Sequence, residues 1–157
     1  MRKRIITPEH RQTDLPDMEW LDIEELAEVE ITSEDVAHPV EFALLPDQVS
    51  GWRASESGIQ TIRLIFDQPQ TIKRILLQFV DNDTERTQEF VLRWSPDGGQ
   101  SFREIVRQQW NFSPEGASSE TEELHVDLTG VTVIELNIIP DICGGDALAS
   151  LTQLRLA

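Results

Sequence analysis

Trp110-Asn111-Phe112 sets two flat apolar rings on either side of a side-chain amide. Sugar recognition uses that mixture, because rings cover the C–H face of a pyranose while amide and guanidinium groups bond its hydroxyls. Trp52-Arg53 is a second ring-and-guanidinium pair, although Trp52 itself reads as a core residue. Asp81-Asn82-Asp83-Thr84-Glu85-Arg86 places carboxylates at alternate positions and ends on a planar donor fork. It opens like a calcium-binding EF-hand loop. Position six is Arg86 instead of glycine and position twelve is Leu92 instead of glutamate, so the loop does not close on an ion in that way. It reads as a solvated connection, or as a polar ligand rim in which Asp81, Asp83 and Arg86 take part.

No residue set reads as a catalytic machine. Cys143 lies in the turn-rich Ile142-Cys143-Gly144-Gly145-Asp146, but thiolate chemistry needs a base within reach, and His125 is the one histidine in the later strands. His10, His38 and His125 have no metal-ligand spacing. The expectation is a non-enzymatic protein with no metal and no cofactor.

The elements that position these residues are short strands. Ala27–Thr32, Ile62–Phe66, Ile75–Phe79, Leu124–Leu128 and Ile134–Ile138 alternate with the period of an extended chain, and Leu151-Leu154-Leu156 closes the set. Trp20, Ile23 and Leu26 repeat at three, which suits a short helical lead-in. Trp110 to Glu120, rich in Ser, Pro and Gly, reads as a long loop. Strands at this spacing, with turn residues between them, indicate an all-β antiparallel sandwich. Residues 1–19 read as an N-terminal extension and 20–157 as one domain.

Thr87 to Val106 carries the clearest local signal. Phe90, Leu92 and Trp94 share one face, Phe102, Glu104 and Val106 alternate beyond the turn, and Ser95-Pro96-Asp97-Gly98-Gly99-Gln100-Ser101 joins them. Asp-Gly-Gly supplies the positive-φ residues of a tight hairpin. The turn also fits the structural box repeated once per blade in sialidase-type propellers, but a single copy in 157 residues does not make a propeller.

Together with this hairpin, fragments in order resemble the discoidin, or coagulation-factor C-type, family. Pro39-Val40-Glu41-Phe42-Ala43-Leu44 resembles its "Asn-Ala-Leu-Asp-Gly" loop. Asp47-Gln48-Val49-Ser50-Gly51-Trp52 resembles "Asp-Pro-Ser-Thr-x-Trp", and Leu151-Thr152-Gln153-Leu154-Arg155-Leu156 resembles the closing "Leu-Arg-Glu-Leu-x-Val". The resemblance implies a galactose-binding-like jelly-roll sandwich, non-catalytic, recognising sugars or lipid headgroups through loops at one end, or serving as an interaction subunit of a protein complex. It also locates a structural Ca²⁺ site in some members, where this chain has Leu45 and Gln153 in place of the two carboxylates. The candidate ligand contacts are Trp110, Asn111, Phe112, Arg86, Arg53, Asp81 and Asp83, on loops at 47–58, 81–87 and 109–118.

Charge narrows the partners. The chain carries a formal net charge of −16. Arg2, Lys3, Arg4 and Arg11 gather at the N-terminus against Glu9, so the remainder is more acidic still. A body that acidic repels phosphate backbones and anionic lipid. The expected partner is a carbohydrate, with a protein as the alternative, and neither nucleic acid nor membrane insertion. One cysteine and the absence of an apolar run behind the basic start point to a cytoplasmic protein.

Overall fold

The structure, a computed structural model, describes residues 20–46, 50–82 and 84–157. The proposed extension at 1–19 and candidate Asp83 lie outside them. Among the described residues strand accounts for 62% and helix for 6%, so the fold is all-β. Two one-turn helices, α1 (Ile23–Leu26) and α2 (Glu41–Leu44), accompany strands β1 (Ala27–Ile31), β2 (Trp52–Ser57), β3 (Gln60–Val80), β4 (Arg86–Ser95), β5 (Arg103–Phe112), β6 (Ser119–Ile139), β7 (Leu148–Leu151) and β8 (Gln153–Leu156). Every strand pairing is antiparallel.

Two long strands make the sandwich. β3 and β6 pair along their whole length, and the register breaks between Ile65 and Arg74. Pro69, which has no N–H to give a ladder, falls inside that break, where a bulge tolerates it. The first part of β3 continues sideways through β1 on one edge and the end of β6, β4 and β5 on the other. Beyond the break, β3 pairs with β8 and the start of β6. The β2–β7 ribbon joins this second layer where the Thr152 N–H donates to the Gln78 carbonyl at 2.8 Å. The layers meet face to face: Phe79 of β3 and Phe90 of β4, on strands that do not pair, bring their ring centroids within 5.1 Å.

The core follows from alternation. Ile62, Leu64, Leu77, Phe79, Phe90, Leu92, Ile134 and Leu136 are buried, as are Leu154 and Leu156, and Trp94 is 8% exposed. Trp52 is buried too, its indole N–H donating to the Ser33 carbonyl at 3.0 Å. Gly51 precedes it with φ +77°, where a Cβ would stand 2.6 Å from the Leu151 carbonyl oxygen.

The hairpin turn is held by its own polar atoms. The Asp97 carboxylate accepts from both hydroxyls, Ser95 and Ser101, and from the Ser101 N–H, while the Ser95 hydroxyl accepts from the Gly99 N–H. Those bonds, the Ser101 hydroxyl first, hold the Asp97 pKa down at about 2. Gly98 and Gly99 take φ +75° and +96°, which side-chain-bearing residues seldom adopt.

Three sequence expectations change. Residues 52–57, expected as part of a loop, form strand β2, because Trp52 and Arg53 pair with Leu151 and Ser150. The closing segment divides into β7 and β8 at Thr152. Trp110, Asn111 and Phe112 belong to strand β5, opposite Gln88, Thr87 and Arg86, which leaves 113–118 as the loop.

Candidate functional site

Strand ends that are far apart in sequence converge at one end of the sandwich. Arg53 on β2, Asp81 and Thr84 in the β3–β4 connection, Arg86 at the start of β4, Asp146 in the β6–β7 connection and Ser150 on β7 line a cleft of about 220 Å³. The β2–β7 pairing explains part of this, since it sets Arg53 directly opposite Ser150. A second cleft of about 220 Å³ shares Arg53 and Ser150 and extends the recess to His38. A larger depression of about 650 Å³ lies against β1, but its charged side chains, Arg63 and Glu30, are paired with each other at 2.9 Å.

Arg86 fixes the rim. Its side chain is 1% exposed, and its Nε donates to Asp81 Oδ2 at 2.7 Å. Its Nη1 donates to the Pro140 carbonyl at 2.6 Å and to Gln88 Oε1 at 3.2 Å. The guanidinium also lies 4.7 Å from the centre of the Phe112 ring. One buried cation therefore ties the β3–β4 connection to the β6–β7 connection, and an aromatic platform on β5 supports it. Arg86, expected as a donor fork for ligand, commits Nε and Nη1 inside the protein, so its part at this site includes holding the rim in position.

Asp81 is a rim residue. Besides Arg86, its Oδ1 accepts the Thr84 N–H at 3.2 Å, closing the turn around the connection. Arg53 is the exposed cation of the cleft. Its backbone carbonyl accepts from the Asp35 N–H at 2.8 Å and its N–H donates to the His38 carbonyl at 3.2 Å, so the strand is anchored while the side chain faces outward. Nearby, the His38 ring meets the Asp35 carboxylate at 3.2 Å, and that bond above all lowers the Asp35 pKa.

The aromatic candidates are placed differently. Phe112 is 1% exposed and serves as the platform under Arg86, so its ring does not face a ligand. Trp110 is half-buried against the core, with its indole N–H buried and unpaired among the described residues. Asn111 is exposed, and its Oδ1 accepts from the Thr87 hydroxyl at 2.6 Å. The physical reason is strand alternation: on β5, Trp110 and Phe112 point inward and Asn111 outward. Of the sequence-derived candidates, Arg53, Asp81 and Arg86 come together, while Trp110 and Asn111 lie outside the cleft lining.

Sequence reasoning missed Thr84, Asp146, Ser150 and His38. A signal existed for Asp146, which follows two glycines in a turn-rich connection. Ser150 becomes visible only through its pairing with Arg53.

What the arrangement offers is hydrogen bonding at close quarters: a guanidinium, two carboxylates and two hydroxyls around a small recess. Among the described residues no group of three or more His, Cys, Asp or Glu side chains could hold a metal ion. No helix among the described residues is long and apolar enough to cross a membrane.

No protein-family model matches the chain, and no curated protein matches it in sequence. Solved structures do. The module CpGH89CBM32-5 from Clostridium perfringens, determined in complex with GalNAc-β-1,3-galactose, superposes with a TM-score of 0.63 at 20% identity, over 87% of this chain and 98% of that one. The family 32 module of C. perfringens NanJ, in complex with galactose, gives 0.63 at 14% identity, covering 87% and 96%. A pectin-binding carbohydrate-binding module gives 0.61 at 18% identity, covering 84% and 90%. This chain therefore has the galactose-binding-like jelly-roll fold that family 32 carbohydrate-binding modules share with discoidin domains.

Proposed function

We propose that this protein is a non-catalytic carbohydrate-binding module whose sugar sits in the loop-end cleft beside Arg53. The observation that carries the reading is the cleft itself. An outward-facing guanidinium, the Asp81 and Asp146 carboxylates and the Thr84 and Ser150 hydroxyls converge on a recess whose rim is fixed by a buried arginine. Sugar hydroxyls are both donors and acceptors, and this set answers both. Similarity in fold to modules solved with galactose and with GalNAc-β-1,3-galactose supports the same reading.

Preorganisation suits a weakly apolar ligand. A rim held by ion pair, backbone carbonyl and ring stacking needs no ordering when ligand arrives, so binding energy is not spent on it. Within this reading Arg53, Asp146 and Ser150 contact sugar, Asp81 contributes an acceptor edge, and Arg86 and Phe112 hold the edge in place.

A glycan array, followed by calorimetry on the sugars it identifies, tests the proposal. Arg53→Ala and Asp146→Ala should each weaken binding at least tenfold and leave the melting midpoint unchanged. Failure to bind any glycan, together with a protein that co-purifies stoichiometrically from cell extract, would replace this reading with that of an interaction subunit.

A further inference from the structure

Among the described residues, the large apolar side chains left in solvent are Val36, Ile59, Ile142 and Leu148. Two of the four share one cavity, and a third lies opposite the end of the neighbouring strand. Ile59, 63% exposed, occupies the turn between β2 and β3; Ile142, 44% exposed, belongs to the β6–β7 connection; Leu148 opens β7 opposite Ser57 of β2. Ile59 and Ile142 line a cavity of about 230 Å³ whose wall also includes Ile139, Pro140 and Ala147. Ala147 lines the cleft of Arg53 and Asp146 as well, and its neighbour Leu148 lines that cleft. The apolar ledge and the polar cleft are thus two sides of one wall.

Scattered surface aliphatics are ordinary, whereas a cluster beside a polar recess marks a binding surface. The ledge is also fixed relative to the cleft. The Ile142 N–H donates to the Thr87 carbonyl at 2.8 Å, and the Pro140 carbonyl takes Arg86 Nη1 at 2.6 Å. The connection that carries the ledge is therefore tied to β4, the strand that carries the rim arginine. Asp141 and Asp146 flank it, and with a chain charge of −16 they disfavour an anionic occupant or an anionic bilayer.

We infer that cleft and ledge form one bipartite site for an amphiphilic glycoside, a free sugar bearing an uncharged alkyl or aryl substituent that lies across Ile59 and Ile142. The inference rests on the carbohydrate reading above. The sugar supplies hydroxyls to Arg53, Asp146 and Ser150; the substituent covers carbon that the fold leaves in water.

The test is titration calorimetry of the full chain with methyl and n-octyl β-glycosides of galactose, glucose, mannose and N-acetylglucosamine, the octyl compounds below their micelle concentrations. For a sugar that binds, the octyl form should bind about tenfold more tightly than the methyl form, the equivalent of burying two methylenes. Ile59→Ser and Ile142→Ser should abolish that gain, with the methyl glycoside's Kd and the melting midpoint unchanged. Arg53→Ala should weaken both forms together. Equal Kd values for methyl and octyl forms, or an octyl gain that survives both serine variants, would overturn the inference and leave the carbohydrate reading intact. Absence of binding by all eight glycosides would overturn the inference, while the carbohydrate reading is decided separately by the glycan array. A dimer in sedimentation that Ile142→Ser dissolves would assign the ledge to a second copy of the chain and overturn the glycoside assignment.

Discussion

The Arg155 guanidinium caps the carbonyl of Leu45, with Nη2 donating across 2.8 Å, although 110 residues separate the two in sequence. Its Nη1 donates to the carbonyls of Ala43 at 2.7 Å and of Leu154 at 3.0 Å. Arg155 is 6% exposed, and burial lowers its pKa. A side chain from the last strand thus satisfies backbone acceptors in and just after α2, in the region where the family resemblance would locate a calcium ion. Gln153, at the other expected calcium position, pairs with Gln78 at 2.9 Å.

Arg155→Ala strands the Ala43 and Leu45 carbonyls without their buried donor. Leaving buried acceptors unsatisfied costs about 1–3 kcal/mol, and more where the lost donor was charged, so urea denaturation should show a loss at or above the upper end of that range. Arg155→Lys should recover only part of it, since a point charge does not span both carbonyls. With the native chain, calcium and chelator should give the same melting midpoint, because a ligand that binds only the folded state would raise it. An upward shift with calcium would refute this account of the site.

Leu92 lies in the centre of β4 with no exposed surface, between Val106 on β5 and Leu136 on β6. Leu92→Ala should destabilise by about 2–5 kcal/mol, through lost transfer energy and the cavity left behind. A loss below about 0.5 kcal/mol, the size of an ordinary surface substitution, would contradict the burial of that face.

Glu120 is 2% exposed on β6, opposite Phe79, and both carboxyl oxygens are buried. Burial, and secondarily the charge and hydrogen bonding of Glu122, push its pKa up to about 7. The folded-state value then exceeds the ordinary 4.5, so the folded state binds the proton more tightly than the unfolded one. Its contribution to stability is complete below that ordinary value and is lost as pH rises through about 7. Glu120→Gln should flatten the fall in stability between about pH 5 and pH 8, measured by denaturation at fixed pH values. Parallel profiles for the two proteins would rule the effect out.

Arg53 and Arg86 share a cleft and should fail differently. Arg86→Ala breaks a buried pair with Asp81, a change that typically costs about 3–5 kcal/mol. Phe112→Ala removes its platform and falls in the same range for a buried aromatic. Arg53→Ala should leave the melt untouched and reduce glycan affinity. Measuring melting and binding on the three variants separates positioning from contact; a stable Arg86→Ala protein that loses only affinity would return Arg86 to the role of ligand donor.

The sequence by itself determined the all-β class, the inward faces and the hairpin at 95–102, because these are written in residues one or two apart. Alternation of Phe90, Leu92 and Trp94 needs no distant information, and neither does an Asp-Gly-Gly turn. Only the tertiary structure decided where strands end. The composition of residues 110–120 reads as loop, yet pairing with Arg86, Thr87 and Gln88 extends β5 through Phe112 and turns two supposed ligand rings inward. Pairing likewise made β2 a strand and put Arg53 against Ser150, nearly a hundred positions away. The cleft and the ledge beside it are products of such long-range register. Strand ends meet according to which backbones share hydrogen bonds, and that partnership is set by packing across the whole sandwich.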